Sequence, residues 1–351
     1  MKICIISVIN SPNQGSYQQL KELGDAYSAY GTVYYLDNGT RKIFSDILGY
    51  VLGCLRKGKI KKAIFEVKRR LIFKKRYKNF KRINIDQINK MDLVVLGSDE
   101  IWNYKRDTMK HPILWGSGIS NMKVSFAPSI GGSDLNTLRD AGFVLEALNQ
   151  LDMVSVRDEN SRLVLKELGY EGEIEILADP SLLKSKEDYR KESTCNFPDP
   201  YLALYCFQGF LDINSDAFEF FEQFAKNKGL RFVSFGIWSD YAENFHSDSS
   251  GAFDFMLNAD FVITNTFHGT AFAINFNKQF ITFSSGREEK IKNLLKECGL
   301  EDRDCTNQSI DSIMRIMNTP IDYSTINCKL EQMRKKSHDF IRRTVEHVRS
   351  K

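Results

Sequence analysis

Three side chains suited to proton transfer and anion binding occupy similar places in this sequence. His268 lies in ADFVITNTFHGTAFAINFNKQFI, residues 259–281. An apolar strand from Phe261 to Ile263 precedes it. Gly269 follows, then an apolar helix-like segment and a strand from Gln279 to Phe283. An imidazole beside the backbone N–H groups of a helix start suits acid–base chemistry on an anionic substrate. Asp99 follows the strand Leu93–Leu96, in Gly97-Ser-Asp-Glu-Ile-Trp-Asn103. Its carboxylate can take a proton from a substrate hydroxyl or hold a sugar. Arg157 stands where the strand Met153–Val156 ends, and a guanidinium there can grip a carboxylate or phosphate with two parallel hydrogen bonds.

Each position has a plainer alternative. Asp99 can cap the following helix, and Arg157 can pair internally with Asp158 or Glu159. Trp102 is either a sugar-stacking platform, with Asn103 beside it, or a packing residue. The loop from Asn10 to Ser16 offers Gly15 and Ser16 to a substrate phosphate, or is an ordinary loop and N-cap, since it matches neither G-x-G-x-x-G nor a P-loop. The remaining histidines, His111, His246, His338 and His347, are isolated and read as surface or packing residues.

The elements that must position these groups alternate. Strands are expected at Lys2–Ile9, Thr32–Leu36, Leu93–Leu96, Val124–Ile130, Met153–Val156 and Glu175–Ala178, with a helix over Tyr17–Tyr30. The polar stretch Lys184–Pro200 reads as a linker. Strands then return at Tyr201–Phe207, Arg231–Ile237, Phe261–Ile263 and Gln279–Phe283. Short apolar strands around helical crossovers imply buried parallel sheets, and ligands of such sheets bind at the carboxyl ends of the strands. The expected architecture is α/β, with two Rossmann-like, doubly wound domains facing across a cleft. They would cover residues 1–184 and 201–322, and a terminal charged helix, 323–351, would return to the first domain.

A length of 351 residues fits two domains, and 42% hydrophobic content fits ordinary cores. A net charge of +4 is too mild to imply a nucleic-acid partner. The seven cysteines include no C-x-x-C pair, which argues against a disulfide framework and a structural zinc site. No apolar run is long enough to span a membrane, and MKICIISVIN lacks the features of a signal peptide. The expectation is a cytoplasmic protein. From Arg56 to Arg82 the chain is strongly basic, opposed only by Glu66, with Ile60, Ile64, Val67 and Leu71 at helical spacing. The favoured reading is a solvated helical hairpin whose apolar stripe packs on its own domain. The alternative is a peripheral contact with the inner face of a membrane, near a lipid-linked acceptor.

Several motifs together resemble the polysaccharide pyruvyl transferase family. They are LVVLGSDEIWN, VSFAPSIG, VSVRDENSRLVLKELG, ILADPSLL, the His268 segment, and Gly286-Arg287 through Gly299-Leu-Glu-Asp-Arg303. The resemblance implies a fold similar to GT-B glycosyltransferases. It also implies transfer of a pyruvyl group from phosphoenolpyruvate to sugar hydroxyls, closing a ketal and releasing phosphate, with no further cofactor and no metal. On that basis His268 would protonate the enol methylene, Asp99 would help deprotonate the attacking hydroxyl, and Arg157 would bind the donor. Gly15, Ser16, Gly269, Thr270 and Arg287 would complete the donor site, and Trp102 and Asn103 would meet the acceptor. Thr266 stands where some members have arginine and Asn265 where aspartate is frequent, so Arg287 or Arg303 would have to supply the missing cation. The alternative activity is a nucleotide-sugar glycosyltransferase of the same architecture, with Glu288 or Glu289 on the ribose. A non-catalytic, glycan-binding scaffold is the third reading.

Overall fold

The most apolar runs of the sequence become the inner strands of two parallel sheets. The computed structural model describes residues 1–37, 47–194, 197, 199–207, 215–246, 253–284 and 288–351. The first sheet contains β1 (Lys2–Ile6), β2 (Thr32–Leu36), β3 (Arg82–Ile83), β4 (Leu93–Leu96) and β5 (Lys123–Ser125), in the order β3-β2-β1-β4-β5. A two-stranded pair, β6 (Ser155–Val156) and β7 (Glu175–Ile176), follows. The second sheet contains β8 (Tyr201–Tyr205), β9 (Arg231–Phe235), β10 (Glu243–Phe245), β11 (Phe261–Thr264) and β12 (Gln279–Thr282), in the order β10-β9-β8-β11-β12. Every named pairing is parallel. Numbered within its own sheet, each order is 3-2-1-4-5, so the winding reverses between the first and fourth strands.

All residues of β4, β8 and β11 are buried. That is why these strands read as continuous apolar runs rather than alternating ones. The edge strands β3 and β10 are short and partly exposed, and their sequences carry no such run.

The helices are, in order, α1 (Gln14–Ser28), α2 (Ile47–Arg56), α3 (Ile60–Tyr77), α4 (Leu135–Asp140), α5 (Val144–Asn149), α6 (Glu159–Glu167) and α7 (Lys186–Glu192). Then come α8 (Ser215–Asn227), α9 (Phe267–Asn275), α10 (Glu288–Cys298), α11 (Ile310–Asn318) and α12 (Ser324–Ser350). The chain divides into two compact units. One is Met1–Ser45 with Phe73–Leu183 and Gln332–Lys351; the other is Asp46–Ile72 with Lys184–Glu331.

The structure departs from the sequence-based expectation in three places. The polar stretch Lys184–Pro200, expected to be a linker, holds α7, which starts at a capping box: Ser185 accepts from the Asp188 N–H, and the Asp188 carboxylate accepts from the Ser185 N–H. Residues 46–72 belong to the second unit rather than the first. The stripe Ile60, Ile64 and Leu71 is exposed, because α3 buries Ala63, Phe65 and Glu66 instead.

In the first unit the core gathers Cys4, Ile6, Val94 and Leu96 with the stacked pair Trp102 and Trp115. The last part of α12 joins this unit. Ser337 accepts a hydrogen bond from the Ala178 N–H, and Arg334 donates to the Leu182 carbonyl. In the second unit Leu202, Leu204, Ile263 and Ile281 pack with Phe218, Phe221 and Phe224 of α8.

Candidate functional site

In the first unit the site lies at the carboxyl ends of β1 and β4, where the winding reverses. Helix α1 begins earlier than its sequence suggests, because Asn13 is its N-cap and accepts from the Ser16 N–H at 3.1 Å. Gly15 and Ser16 therefore sit in the first turn of the helix, both buried. The Ser16 hydroxyl donates to Asp99 Oδ2 at 2.9 Å, and Asp99 Oδ1 accepts from the Glu100 N–H at 2.8 Å. Asp99 is half-buried and has φ +70°. Asp and Asn tolerate this left-handed conformation better than most residues. Two positions earlier, a Cβ on Gly97 would lie 2.1 Å from the Phe126 carbonyl oxygen, so only glycine lets β4 turn here.

Arg157 is brought near the same strand ends, but its partner is not one the sequence suggested. Its Nη1 lies 2.8 Å from Asp179 Oδ2, and the two side chains are 5% and 1% exposed. Asp158 caps α6 instead, accepting from the Ser161 N–H, and Glu159 pairs with Arg162. Burial works against the charge on Arg157. The carboxylates of Asp179, Asp158 and Asp99 outweigh it and raise the guanidinium above its ordinary value. Arg157 is thus a buried cation already held by Asp179, with little surface left for a donor. Asp179 escaped the sequence reading, although its segment, ILADPSLL, was recognised as part of a motif.

Both acceptor candidates prove internal. Trp102 is 0% exposed, lies 4.5 Å from Trp115 in a stack, and donates its indole N–H to the Leu114 carbonyl. It is a core residue and not a sugar platform. Asn103 is buried; its amide donates to Glu100 and its carbonyl accepts from the Ser133 hydroxyl.

The second unit carries His268 at the equivalent strand end. β11 gives way to α9, whose N-cap is Thr266, and its hydroxyl accepts from the Gly269 N–H at 2.9 Å. Apart from His268, the residues of α9 are buried, and His268 itself is half-exposed. A helix apolar on all sides is a core helix, so the one accessible side chain at its start stands out chemically. The Phe267 ring meets the imidazole edge-on at 5.3 Å. Gly269 and Thr270 serve packing. A Cβ on Gly269 would fall 2.1 Å from Thr264 Oγ1, and the Thr270 hydroxyl is shared with the Thr266 carbonyl and Thr282.

The two positions that depart from the family pattern have structural work here. Thr266 is the cap just described. Asn265 ties the end of β11 to β8: its Oδ1 accepts from the Phe207 N–H and its Nδ2 donates to the Phe207 carbonyl, each at 2.8 Å. Arg303 does not replace the missing cation. It is 2% exposed and donates to the carbonyls of Ile316 and Thr319 at the end of α11. Arg287 lies outside the described residues.

The profile of the polysaccharide pyruvyl transferase family matches residues 23–287, a span that includes Asp99, Arg157 and His268. No curated protein matches the chain. Among solved structures, the UDP-GlcNAc 2-epimerase of Methanocaldococcus jannaschii aligns with a TM-score of 0.53 at 11% identity, over 92% of this chain and 94% of that one. The UDP-GlcNAc 2-epimerase of Neisseria meningitidis gives 0.52 at 10% identity, over 99% and 100%. Trehalose-6-phosphate synthase OtsA gives 0.51 at 11%, over 100% and 98%. At such identities the likeness concerns the fold alone: two Rossmann-like domains of the kind shared by GT-B glycosyltransferases and epimerases.

Proposed function

Because the chain belongs to the polysaccharide pyruvyl transferase family, we propose that it transfers a pyruvyl group from phosphoenolpyruvate to hydroxyls of a surface polysaccharide or its lipid-linked precursor. The product is a pyruvate ketal. In the reaction the enol methylene gains a proton and becomes a methyl group. Two sugar hydroxyls then bond to the neighbouring carbon and lose their protons, and phosphate leaves with one proton. His268 supplies the first proton. Asp99 receives one from an attacking hydroxyl. Ser16 fixes the orientation of that carboxylate, and Arg157 is a permanent cation within its electrostatic reach. The acceptor residues and the donor's anion-binding set include groups other than Trp102 and Arg303. Since phosphoenolpyruvate is a cytoplasmic metabolite, the reaction belongs in the cytoplasm.

The observation that supports this reading best is the placement of Asp99. A carboxylate stands at the switch point of the sheet, in a conformation few residues adopt, held by Ser16 and the Glu100 N–H. Incubation with phosphoenolpyruvate and a panel of glycans should release phosphate and give a product heavier by one pyruvate unit. A folded protein that turns over no acceptor, and whose melting temperature rises with nucleoside diphosphates but not with phosphoenolpyruvate, would overturn the proposal.

A further inference from the structure

Helices α2 and α3 expose apolar side chains in two stripes. Leu48, Leu52 and Leu55 share one face of α2; Ile60, Ile64 and Leu71 share one face of α3. These six residues are between 46% and 71% exposed, half of the large hydrophobic residues found exposed among the described residues. The other face of α3 is engaged within its own unit. Phe65 stacks on His246 at 4.1 Å and meets Trp238 edge-on, and Lys59 pairs with Asp240 at 2.9 Å. The exposed face is therefore a fixed surface on an anchored element.

Its charge is one-sided. Residues 47–72, the part of these helices that belongs to the second unit, hold eight of the 49 cationic residues and one of the 45 acidic ones, a local charge of +7 against +4 for the whole chain. The single acid, Glu66, is buried and paired with Arg69. Arg56, Lys57, Lys61 and Lys68 are exposed and interleave the apolar stripes. A second copy of this chain would bring like charges together, which opposes self-association through this face. An anionic bilayer matches both properties, because its headgroups attract cations and its interface accepts apolar side chains to a depth of about 5–10 Å. No described helix is long and apolar enough to cross a membrane.

We propose that the α2–α3 face docks the protein on an anionic lipid surface. The contact is peripheral: leucine and isoleucine side chains enter the interface while lysine and arginine heads meet lipid phosphates. This does not depend on the reaction proposed above, and vesicle binding is scored without donor or acceptor.

The full chain is sedimented with vesicles of phosphatidylcholine alone and with vesicles that also contain phosphatidylglycerol. Binding is expected only to the anionic vesicles, weakening as salt rises. Lys57→Gln with Lys61→Gln and Lys68→Gln should weaken it roughly 100-fold. Leu52→Gln with Ile64→Gln should weaken it at least about tenfold. All five positions lie on the surface, so both variants should keep the parent melting temperature. Failure to bind anionic vesicles overturns the proposal. So does binding that the apolar substitutions leave unchanged, which would be simple charge adsorption. Concentration-dependent dimerisation that these substitutions abolish would assign the face to a second copy instead.

Discussion

The Ser16 hydroxyl donates to Asp99 Oδ2 at 2.9 Å, joining the start of α1 to the end of β4. The two residues are 83 positions apart in sequence and meet only because β1 and β4 are neighbours at the point where the sheet reverses. Ser16→Ala should lower turnover roughly tenfold, the worth of one hydrogen bond to a charged group. Its unfolding midpoint should stay near that of the parent. Unchanged kinetics would show that the orientation of Asp99 does not depend on this contact.

Substitutions at Asp99 separate charge from backbone conformation. Asparagine tolerates φ +70° about as well as aspartate, so Asp99→Asn should fold normally while removing the base. Turnover should fall by about 10²–10⁴. Asp99→Ala should lose the same activity and, in addition, about 1 kcal/mol of stability from the unfavourable φ. Equal stability of the two variants would contradict the assignment of strain to this position.

The Arg157–Asp179 pair is nearly sealed from water. Asp179→Asn leaves a buried guanidinium short of its carboxylate, so urea denaturation should show a loss of about 3–5 kcal/mol. Arg157→Lys should not restore a normal midpoint, since an ammonium cannot reproduce the planar guanidinium. A variant at Asp179 as stable as the parent would remove this pair from the account of the site.

Lys278 gives a pH dependence of known sign. Its ammonium donates to the carbonyls of Leu257 and Ala259, and burial, helped by the charges on Lys186 and Arg190 and opposed by Asp260, pushes it down to about 8. Below pH 8 both folded and unfolded chains carry the proton, and the cost of burying the charge is present in full. Between about pH 8 and 10 the folded chain has released a proton that the unfolded chain still holds, so stability gains with pH. The stability difference between the parent and Lys278→Met, followed by urea denaturation from pH 7 to pH 10, should move in the parent's favour. A flat difference would mean that Lys278 titrates as an ordinary lysine.

The inner strand Leu93–Leu96 was legible because burial on both faces leaves an uninterrupted apolar run, and it falls where the residues alone place it. The edge strands β3 and β10 were not, because half-exposed edges need no such run. Asp99 and His268 stand just past strand ends, where the sequence places them. The partnership of Arg157 with Asp179 is not legible there, since 22 residues separate them while Asp158 and Glu159 are adjacent in sequence. Trp102 shows the limit of residue type as a guide. Tryptophan after a Gly-Ser-Asp turn suits a sugar, and only the stack on Trp115 reveals that it faces the core. The stripe on α3 misled in the opposite sense. Its spacing implied burial, yet Phe65, one position from Ile64, is the residue that packs.

A final comparison tests whether His268 acts chemically or by position. It is the accessible residue at the start of a buried helix, so His268→Gln removes the imidazole without touching the core. Turnover should fall by about 10²–10⁴ with little change in melting temperature. Gly269→Ala addresses the frame. Its new Cβ would meet Thr264 Oγ1 at 2.1 Å and Thr266 Oγ1 at 2.7 Å, and Thr264 Oγ1 is bound to the Tyr205 carbonyl and cannot retreat freely. The start of α9 must shift, so this variant should lose stability and turnover together, typically about 1–3 kcal/mol of the former. If His268→Gln instead lost stability in parallel with activity, the imidazole would be a packing group and the proton donor would have to be sought elsewhere. Retained turnover in His268→Gln would remove it from the mechanism altogether.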